Sequence, residues 1–78
     1  MIVAFVLLAV KPGSERAISK KLLELKPIVE TNILFGEYDI IAKIQVKDKN
    51  ELQTFIIENI RSLQDVEQSS TLISTDSI

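Results

Sequence analysis

The side chains best suited to chemistry lie in one short segment, Gly36-Glu37-Tyr38-Asp39, between strand-forming runs at 28–35 and 40–47. A glycine followed by one residue between alternating apolar runs predicts a tight two-residue turn, because glycine adopts a positive φ without steric penalty. A turn at Gly36-Glu37 would place backbone N–H groups beside the carboxylate of Asp39. Backbone donors next to a carboxylate have the chemistry to hold a small zwitterion.

Every candidate residue also has a structural interpretation. Asp39 either anchors a ligand ammonium or accepts hydrogen bonds from nearby backbone groups, as acids beside turns commonly do. The N–H groups of Gly36 and Glu37 either bind a carboxylate or form an ordinary turn, and Tyr38 either lines a pocket or packs in the core or at an edge. The hydroxyls of Ser69-Ser70-Thr71 either donate to the same ligand or face solvent along a strand edge. The residue types alone leave both interpretations open.

The composition argues against catalysis. The chain has no histidine and no cysteine, which removes the Ser/His and Cys/His nucleophile pairs, the commonest metal ligand and any disulfide. No glycine-rich phosphate loop is present, and the carboxylates are not paired as hydrolytic or metal sites require. A site built on lysine or aspartate stays open, although no pattern marks one. We therefore expect no catalytic residue, no metal ion and no cofactor.

Length and charge restrict the partners. Seventy-eight residues make one domain, 1–78, with a core too small to contribute much stability alone. The net charge is −2 and the 9 Lys and Arg residues are scattered, whereas nucleic-acid binders carry dense basic patches. The apolar start, Ile2–Val10, is too short to span a bilayer and lacks the basic flank of an export signal. We expect a cytoplasmic protein that contacts neither nucleic acid nor membrane.

Strands are predicted at Ile2–Val10, on both sides of the hairpin, and at 66–75, followed by a tail at 76–78. With Gly36-Glu37 as the loop, the apolar pattern fixes the register of the hairpin. The predicted cross-strand pairs are Ile33 with Ile40, Asn32 with Ile41, Thr31 with Ala42, Glu30 with Lys43, and Val29 with Ile44. The pair of Glu30 with Lys43 brings opposite charges together.

Two helices are predicted between the strands. Ser14 is a plausible N-cap for the first, and Pro27 ends it. Asp48, with Glu51 three residues later, forms an Asp variant of the capping box and begins the second helix. The resulting order, βαββαβ, predicts an α+β, ferredoxin-like sandwich: a four-stranded antiparallel sheet with both helices on one face.

This topology leaves one sheet face uncovered. The first strand is apolar on both of its faces, and Leu34 and Ile41 add to the uncovered side. Leaving that face in water would forfeit several kcal/mol at ~25 cal/mol per Å² of apolar area. A two-fold dimer that packs sheet against sheet would remove it from water.

The chain resembles the ligand-sensing (RAM) domain of the leucine-responsive/asparagine regulator family, Lrp/AsnC. The resemblance covers nearly the whole chain and depends above all on the G-x-Y-D hairpin within the βαββαβ order. The matching segments are Lys11-Pro12-Gly13-Ser14-Glu15, Phe35-Gly36-Glu37-Tyr38-Asp39-Ile40-Ile41-Ala42-Lys43, Asp48-Lys49-Asn50-Glu51-Leu52 and Ile60-Arg61-Ser62-Leu63-Gln64-Asp65-Val66-Glu67-Gln68-Ser69-Ser70-Thr71.

The resemblance implies sheet-to-sheet dimers, often rings of dimers, and amino-acid effectors bound between subunits near the hairpin. Gly36, Tyr38 and Asp39 would then help to form the effector pocket, with Ser69-Ser70-Thr71 near it. Full-length family members carry an N-terminal helix-turn-helix domain that binds DNA. Because Met1 here precedes the first strand directly, the chain resembles a stand-alone sensing module that could join mixed oligomers with full-length relatives.

Three functions are therefore compatible with the sequence. The first is an amino-acid-binding, oligomerising module of the Lrp/AsnC type. The second is a pure assembly or adaptor protein without a ligand. The third is a small dimeric ferredoxin-like enzyme, which the missing histidine and the absence of a paired acid–base site disfavour.

Overall fold

Four strands and two helices follow each other in the predicted order, βαββαβ, in the computed structural model, which describes residues 1–76. The elements are β1 (Ile2–Val10), α1 (Glu15–Leu23), β2 (Ile28–Ile33), β3 (Ile40–Val46), α2 (Lys49–Phe55), a π-helical segment (Ile56–Ile60) that continues α2, and β4 (Val66–Ile73). The predicted last strand, 66–75, is therefore two residues too long. Of the predicted tail, residues 77 and 78 lie outside the described residues. No helix in the described part is long and apolar enough to cross a membrane.

The strands form one antiparallel sheet in the order β2-β3-β1-β4, so β1 and β3 are central and β2 and β4 are the edges. The side chains of β1 alternate between two environments, because successive residues of a strand point to opposite faces. Its even-numbered side chains from Ala4 to Val10 are buried with those of α1, α2 and the π-helical segment in a single core, and Ile2 packs against that core partly exposed. Its odd-numbered side chains are only half-buried. Both helices thus cover the same face, and the predicted ferredoxin-like sandwich is confirmed.

The predicted hairpin register is confirmed for the pairs of Ile33, Asn32, Thr31 and Glu30. It is wrong for Val29, because a bulge places Ile28 opposite Ile44 instead. The chain entering β2 is held by two backbone bonds: Ile28 N–H donates to the Leu25 carbonyl at 3.1 Å, and Gln45 N–H donates to the Pro27 carbonyl at 2.9 Å. The bulge absorbs the extra residue, and Val29 is left 46% exposed.

The predicted two-residue turn at Gly36-Glu37 is also wrong. The strands end at Ile33 and resume at Ile40, and the connection is closed by a hydrogen bond from Leu34 N–H to the Asp39 carbonyl at 2.7 Å. Among the described residues only Gly13 has a positive φ, at 91°. The longer connection turns the chain without needing a left-handed residue at Gly36.

The helix starts lie where the sequence places them, but their capping differs. At α1, the Ser14 hydroxyl donates to the Lys11 carbonyl at 2.6 Å rather than accepting from the helix. At α2, the Asp48 carboxylate accepts from Glu51 N–H at 2.8 Å, and the Glu51 carboxylate accepts from Lys47 N–H at 3.2 Å. The α2 start is therefore a variant of the capping box, in which the Glu51 carboxylate accepts from Lys47, the residue before the N-cap, instead of from the N-cap residue Asp48. The first helix ends in the turn before Pro27.

Candidate functional site

Asp39 joins the hairpin to the end of the central strand. Its N–H donates to the Leu8 carbonyl at 2.8 Å, and its carboxylate Oδ2 accepts from Val10 N–H at 2.8 Å. The Asp39 side chain, just before the first residue of β3, thus takes the place of a backbone carbonyl as the acceptor for Val10 N–H. The predicted structural alternative, a carboxylate bound to its own turn, is wrong in its partner: the donor lies 29 residues away in sequence.

One oxygen of the Asp39 carboxylate remains able to bind a ligand. The described residues donate no hydrogen bond to Oδ1, although a carboxylate has about four acceptor positions. The residue is only partly buried. Asp39 can therefore fulfil its structural role and accept an ammonium group at the same time.

The rest of the hairpin stands away from the body of the protein. Gly36 and Glu37 are exposed and Tyr38 is half-buried, while the side chain of Phe35 is fully exposed at 108%. Five hollows on the described surface each have a lining that lacks Gly36, Glu37, Tyr38 and Asp39. The single chain thus presents polar and aromatic groups at the hairpin without enclosing them.

The three predicted hydroxyl residues of β4 do not form one cluster. Ser69 lies opposite Leu8, Ser70 opposite Leu7, and Thr71 one position further from the hairpin end. Because side chains alternate along a strand, Ser70 faces the uncovered side of the sheet, whereas Ser69 and Thr71 face the helices. Ser69 and Ser70 are at the same end of the sheet as Asp39, about 10 Å away across β1 at ~4.8 Å per strand. Thr71 lines a separate groove beside α2.

A bulge and an ion pair shape this end of the sheet, and no pattern in the sequence predicts either of them. The β1–β4 register shifts between Ala9 and Val10, so Glu67 is an extra residue in β4. Beyond the bulge, Lys11 N–H donates to the Asp65 carbonyl at 3.0 Å, and the two side chains approach to 3.9 Å. The Val10 N–H points to the other side of β1, beyond the last β1–β3 pair of Leu8 with Ile40, and Asp39 accepts its hydrogen bond there. Because the contact of Asp39 with Val10 forms only when β1 lies beside β3, no local sequence signal reveals it.

The uncovered sheet face is the second candidate surface. Its centre is apolar and half-buried: Phe5 and Leu7 on β1 are flanked by Ile41 on β3 and by Leu72, which is 54% exposed, on β4. Polar groups lie towards the β2 edge, where a shallow hollow of about 120 Å³ is lined by Phe5, Glu30, Asn32, Ile41 and Lys43. The face therefore combines an apolar centre with a polar border, which is the pattern of a protein interface.

The predicted charge pair on this face is in register but not in contact. Glu30 lies opposite Lys43, yet the described residues contain an ion pair only between Lys11 and Asp65. Glu30 instead accepts a hydrogen bond from the Asn32 side-chain amide at 3.4 Å. Both charged groups remain available to a partner surface.

Comparison with known proteins gives the same family over the whole fold. The description "Lrp/AsnC ligand binding domain" matches residues 3–78. The HTH-type transcriptional regulator FL11 of Pyrococcus furiosus is 36% identical over 72 residues, which is 92% of this chain and 47% of FL11. The hypothetical protein PHS023 from Pyrococcus horikoshii has a crystal structure with a TM-score of 0.93 at 34% identity, covering 99% of this chain and 93% of that one.

A more distant structure shares the fold alone. The complex of transcriptional regulator NMB0573 from Neisseria meningitidis with L-Met has a TM-score of 0.89 at 16% identity, covering 99% of this chain and 51% of that one. This chain spans about half the length of the curated relatives it matches. With the matched region reaching from β1 to the last residue, the chain belongs to the Lrp/AsnC ligand-binding-domain family.

Proposed function

We propose that residues 1–78 act in the cytoplasm as one amino-acid-sensing and oligomerisation module, which binds its effector between subunits and does not itself contact nucleic acid. The observation that carries the proposal is the position of the hairpin groups. One oxygen of the Asp39 carboxylate accepts no hydrogen bond from the described residues, and the nearby residues Gly36 and Glu37 are exposed, while none of these residues lines a described hollow. A second subunit would supply the walls of a pocket around them.

Assembly is supported by the uncovered sheet face. Phe5, Leu7 and Ile41 lie next to each other there and stay partly exposed in the single chain. A chain of 78 residues has little stability to spare, because small domains bury a smaller fraction of their surface. Packing two such faces about a two-fold axis would bury the apolar centres together and place Glu30 and Lys43 near the partner's charges.

The effector chemistry follows from the groups at the hairpin. The free oxygen of Asp39 suits an α-ammonium, and the backbone N–H groups of the exposed residues Gly36 and Glu37 suit an α-carboxylate. The half-buried ring of Tyr38 and the exposed ring of Phe35 suit an apolar side chain. The L-Met complex of the Neisseria regulator is consistent with an amino acid of this kind.

Sensing would operate through linkage between ligand binding and assembly. A ligand that contacts two subunits binds the assembled state only, so it stabilises that state by RT ln(1 + [L]/Kd). At a ligand concentration of 100 Kd this is about 2.7 kcal/mol, which is close to a hundredfold change in the assembly equilibrium. A ligand with equal affinity for free and assembled chains would change nothing.

Calorimetric titration with a panel of the twenty amino acids tests the proposal. The informative variant is Asp39→Asn, because the amide oxygen can still accept from Val10 N–H while the charge that attracts an ammonium is lost. Asp76→Asn makes the same change on an exposed residue away from the hairpin. We expect at least one amino acid to bind the unmodified chain and the Asp76 variant, and to bind the Asp39 variant at least tenfold more weakly.

The opposite result is equally clear. If the chain forms dimers but no amino acid binds, or if Asp39→Asn binds as well as the unmodified chain, the hairpin is not the effector site. In the first case the assembly interpretation would stand without the sensing role, and in the second the effector would bind at another place.

A second candidate is a subunit that joins full-length regulators of its family. It is favoured by one observation: the chain matches about half of each HTH-type relative, including FL11, so both share the surface that would form the interface. Mixing the chain with a full-length family member from the same genome should yield complexes of intermediate mass. Leu7→Glu should prevent their formation, and persistence of the complexes in that variant would exclude the shared-sheet interface.

A further inference from the structure

The helix side of β4 borders a groove that the hairpin site does not use. The groove has a volume of about 330 Å³ and lies between β4 and the helical layer. Its lining is apolar along the middle, where Ile57 is 49% exposed and Ile73 is 40% exposed. Lys49, the first residue of α2, and Arg61, which follows the π-helical segment, lie at its two ends.

The π-helical segment helps to open this groove. Arg61 N–H donates to the Ile56 carbonyl at 2.9 Å, which is an i to i+5 bond and marks a turn wider than that of an α-helix. Such turns are rare and are frequent at functional sites. Here the wide turn places Ile57 and Arg61 on the side of the helical layer that faces β4.

The strand along the groove has unpaired backbone groups. β4 is an edge strand, and Ser74 N–H donates to the Val3 carbonyl at 2.9 Å. Since hydrogen bonds alternate along an antiparallel strand, the N–H groups of Ser69, Thr71 and Ile73 point away from β1. Edge strands are usually protected by lysine, proline or covering elements. β4 contains neither residue type, and its charged residue, Glu67, is confined to the bulge.

The charge of the groove selects its partner. No acidic residue lines it, while two cations do. Within residues 1–76 neither Lys49 nor Arg61 takes part in an ion pair. A partner that is acidic at two points and apolar between them would therefore complement the groove.

We infer that β4 and this groove bind an extended peptide segment that adds a fifth strand to the sheet and carries acidic residues at both ends of an apolar stretch. Lys49 and Arg61 are twelve positions apart, or about 18 Å at 1.5 Å per helical residue. Six strand residues span about 20 Å at 3.3–3.4 Å each. The matching segment therefore has acids at positions i and i+6 and β-branched apolar residues at i+2 and i+4, all on one face. This surface is separate from the hairpin and does not depend on effector binding.

The test uses the full chain labelled with ¹⁵N and the capped peptide Glu-Thr-Val-Thr-Val-Thr-Glu. NMR should show the amides of Ser69, Thr71 and Ile73 exchanging with deuterium at least fivefold more slowly at saturating peptide. Ser70 and Leu72, whose N–H groups face β1, should not change. Replacing both glutamates of the peptide by lysine should abolish binding.

Variants of the protein distinguish binding in the groove from a general effect of the protein's charge. Arg61→Gln and Lys49→Gln should each weaken binding by about two- to fivefold, the range of single exposed ion pairs. Lys20→Gln removes the same charge from the exposed side of α1 and should leave binding unchanged. The inference is overturned if millimolar peptide leaves all amides unperturbed, or if the lysine peptide binds equally well. It is also overturned if the Ser69, Thr71 and Ile73 amides are protected in the free chain, because another copy would then already cover the edge.

Discussion

Leu7 is the residue at which the predicted sheet-to-sheet interface can be broken without disturbing the core. It lies on β1 between Ile41 of β3 and Ser70 of β4, on the face that the helices do not cover. Its neighbours in sequence, Val6 and Leu8, point the other way and are fully buried. Leu7→Glu should therefore leave the single chain folded and place a carboxylate in the middle of the interface.

The expected effect follows from the area that Leu7 has left to bury. The half-buried side chain retains roughly 50 Å² for a partner, worth ~1.3 kcal/mol at ~25 cal/mol per Å². A two-fold axis brings both copies into the interface, so the loss is ~2.5 kcal/mol, or close to 100-fold in the dimer Kd. Two carboxylates facing each other in an apolar layer add a further penalty. We expect the Kd to rise by at least about 100-fold.

Sedimentation equilibrium over a range of concentrations measures this Kd, and circular dichroism verifies that the variant is folded. Leu23→Glu is the matched control, because Leu23 is 51% exposed at the end of α1, away from the uncovered face. A Leu7→Glu chain that dimerises as tightly as the Leu23→Glu chain would show that the subunits do not pack through this sheet face.

Three further predictions concern the elements that hold the site. Asp39→Ala should lower the free energy of unfolding by about 1–3 kcal/mol, because it leaves the N–H of Val10 without its hydrogen-bond acceptor. Asp39→Asn keeps an acceptor and should lower it by less than ~1 kcal/mol. Urea denaturation measures both free energies. Asp48→Ala should cost about 1 kcal/mol through loss of the α2 N-cap, in the same assay. Gly13→Ala should destabilise by ~1 kcal/mol because its φ is 91°, while Gly36→Ala should be nearly neutral, since a Cβ there meets nothing within 4 Å. A strongly destabilised Gly36→Ala chain would contradict the observed turn.

Sequence patterns predict this fold well where one apolar face decides the outcome. The pairs from Ile33 with Ile40 to Glu30 with Lys43 follow from alternation, since a one-residue slip would turn the buried set to solvent. The pairing fails at Val29, because the bulge results from how the turn after α1 is bonded to β3. The bond to β3, from Gln45 N–H to the Pro27 carbonyl, joins residues distant in sequence and leaves no local pattern.

The candidate site likewise combines features that are visible in the local sequence with contacts that are not. The hairpin segment is visible locally, but the partner of Asp39 is Val10, and that contact exists only once β1 lies beside β3. Residue type alone predicts a positive φ at Gly36, but a connection longer than two residues removes the need for it. The separation of Ser70 from Ser69 and Thr71 follows from strand alternation alone, so the sequence is sufficient to predict it.

Sedimentation equilibrium of the unmodified chain, with and without each amino acid, measures ligand-dependent assembly directly. The expected result is a species heavier than the 8.8 kDa single chain. At least one amino acid should shift its assembly equilibrium, and the same amino acid should leave the assembly equilibrium of the Asp39→Asn chain unchanged. A folded 8.8 kDa monomer at every concentration, indifferent to every amino acid, would contradict it.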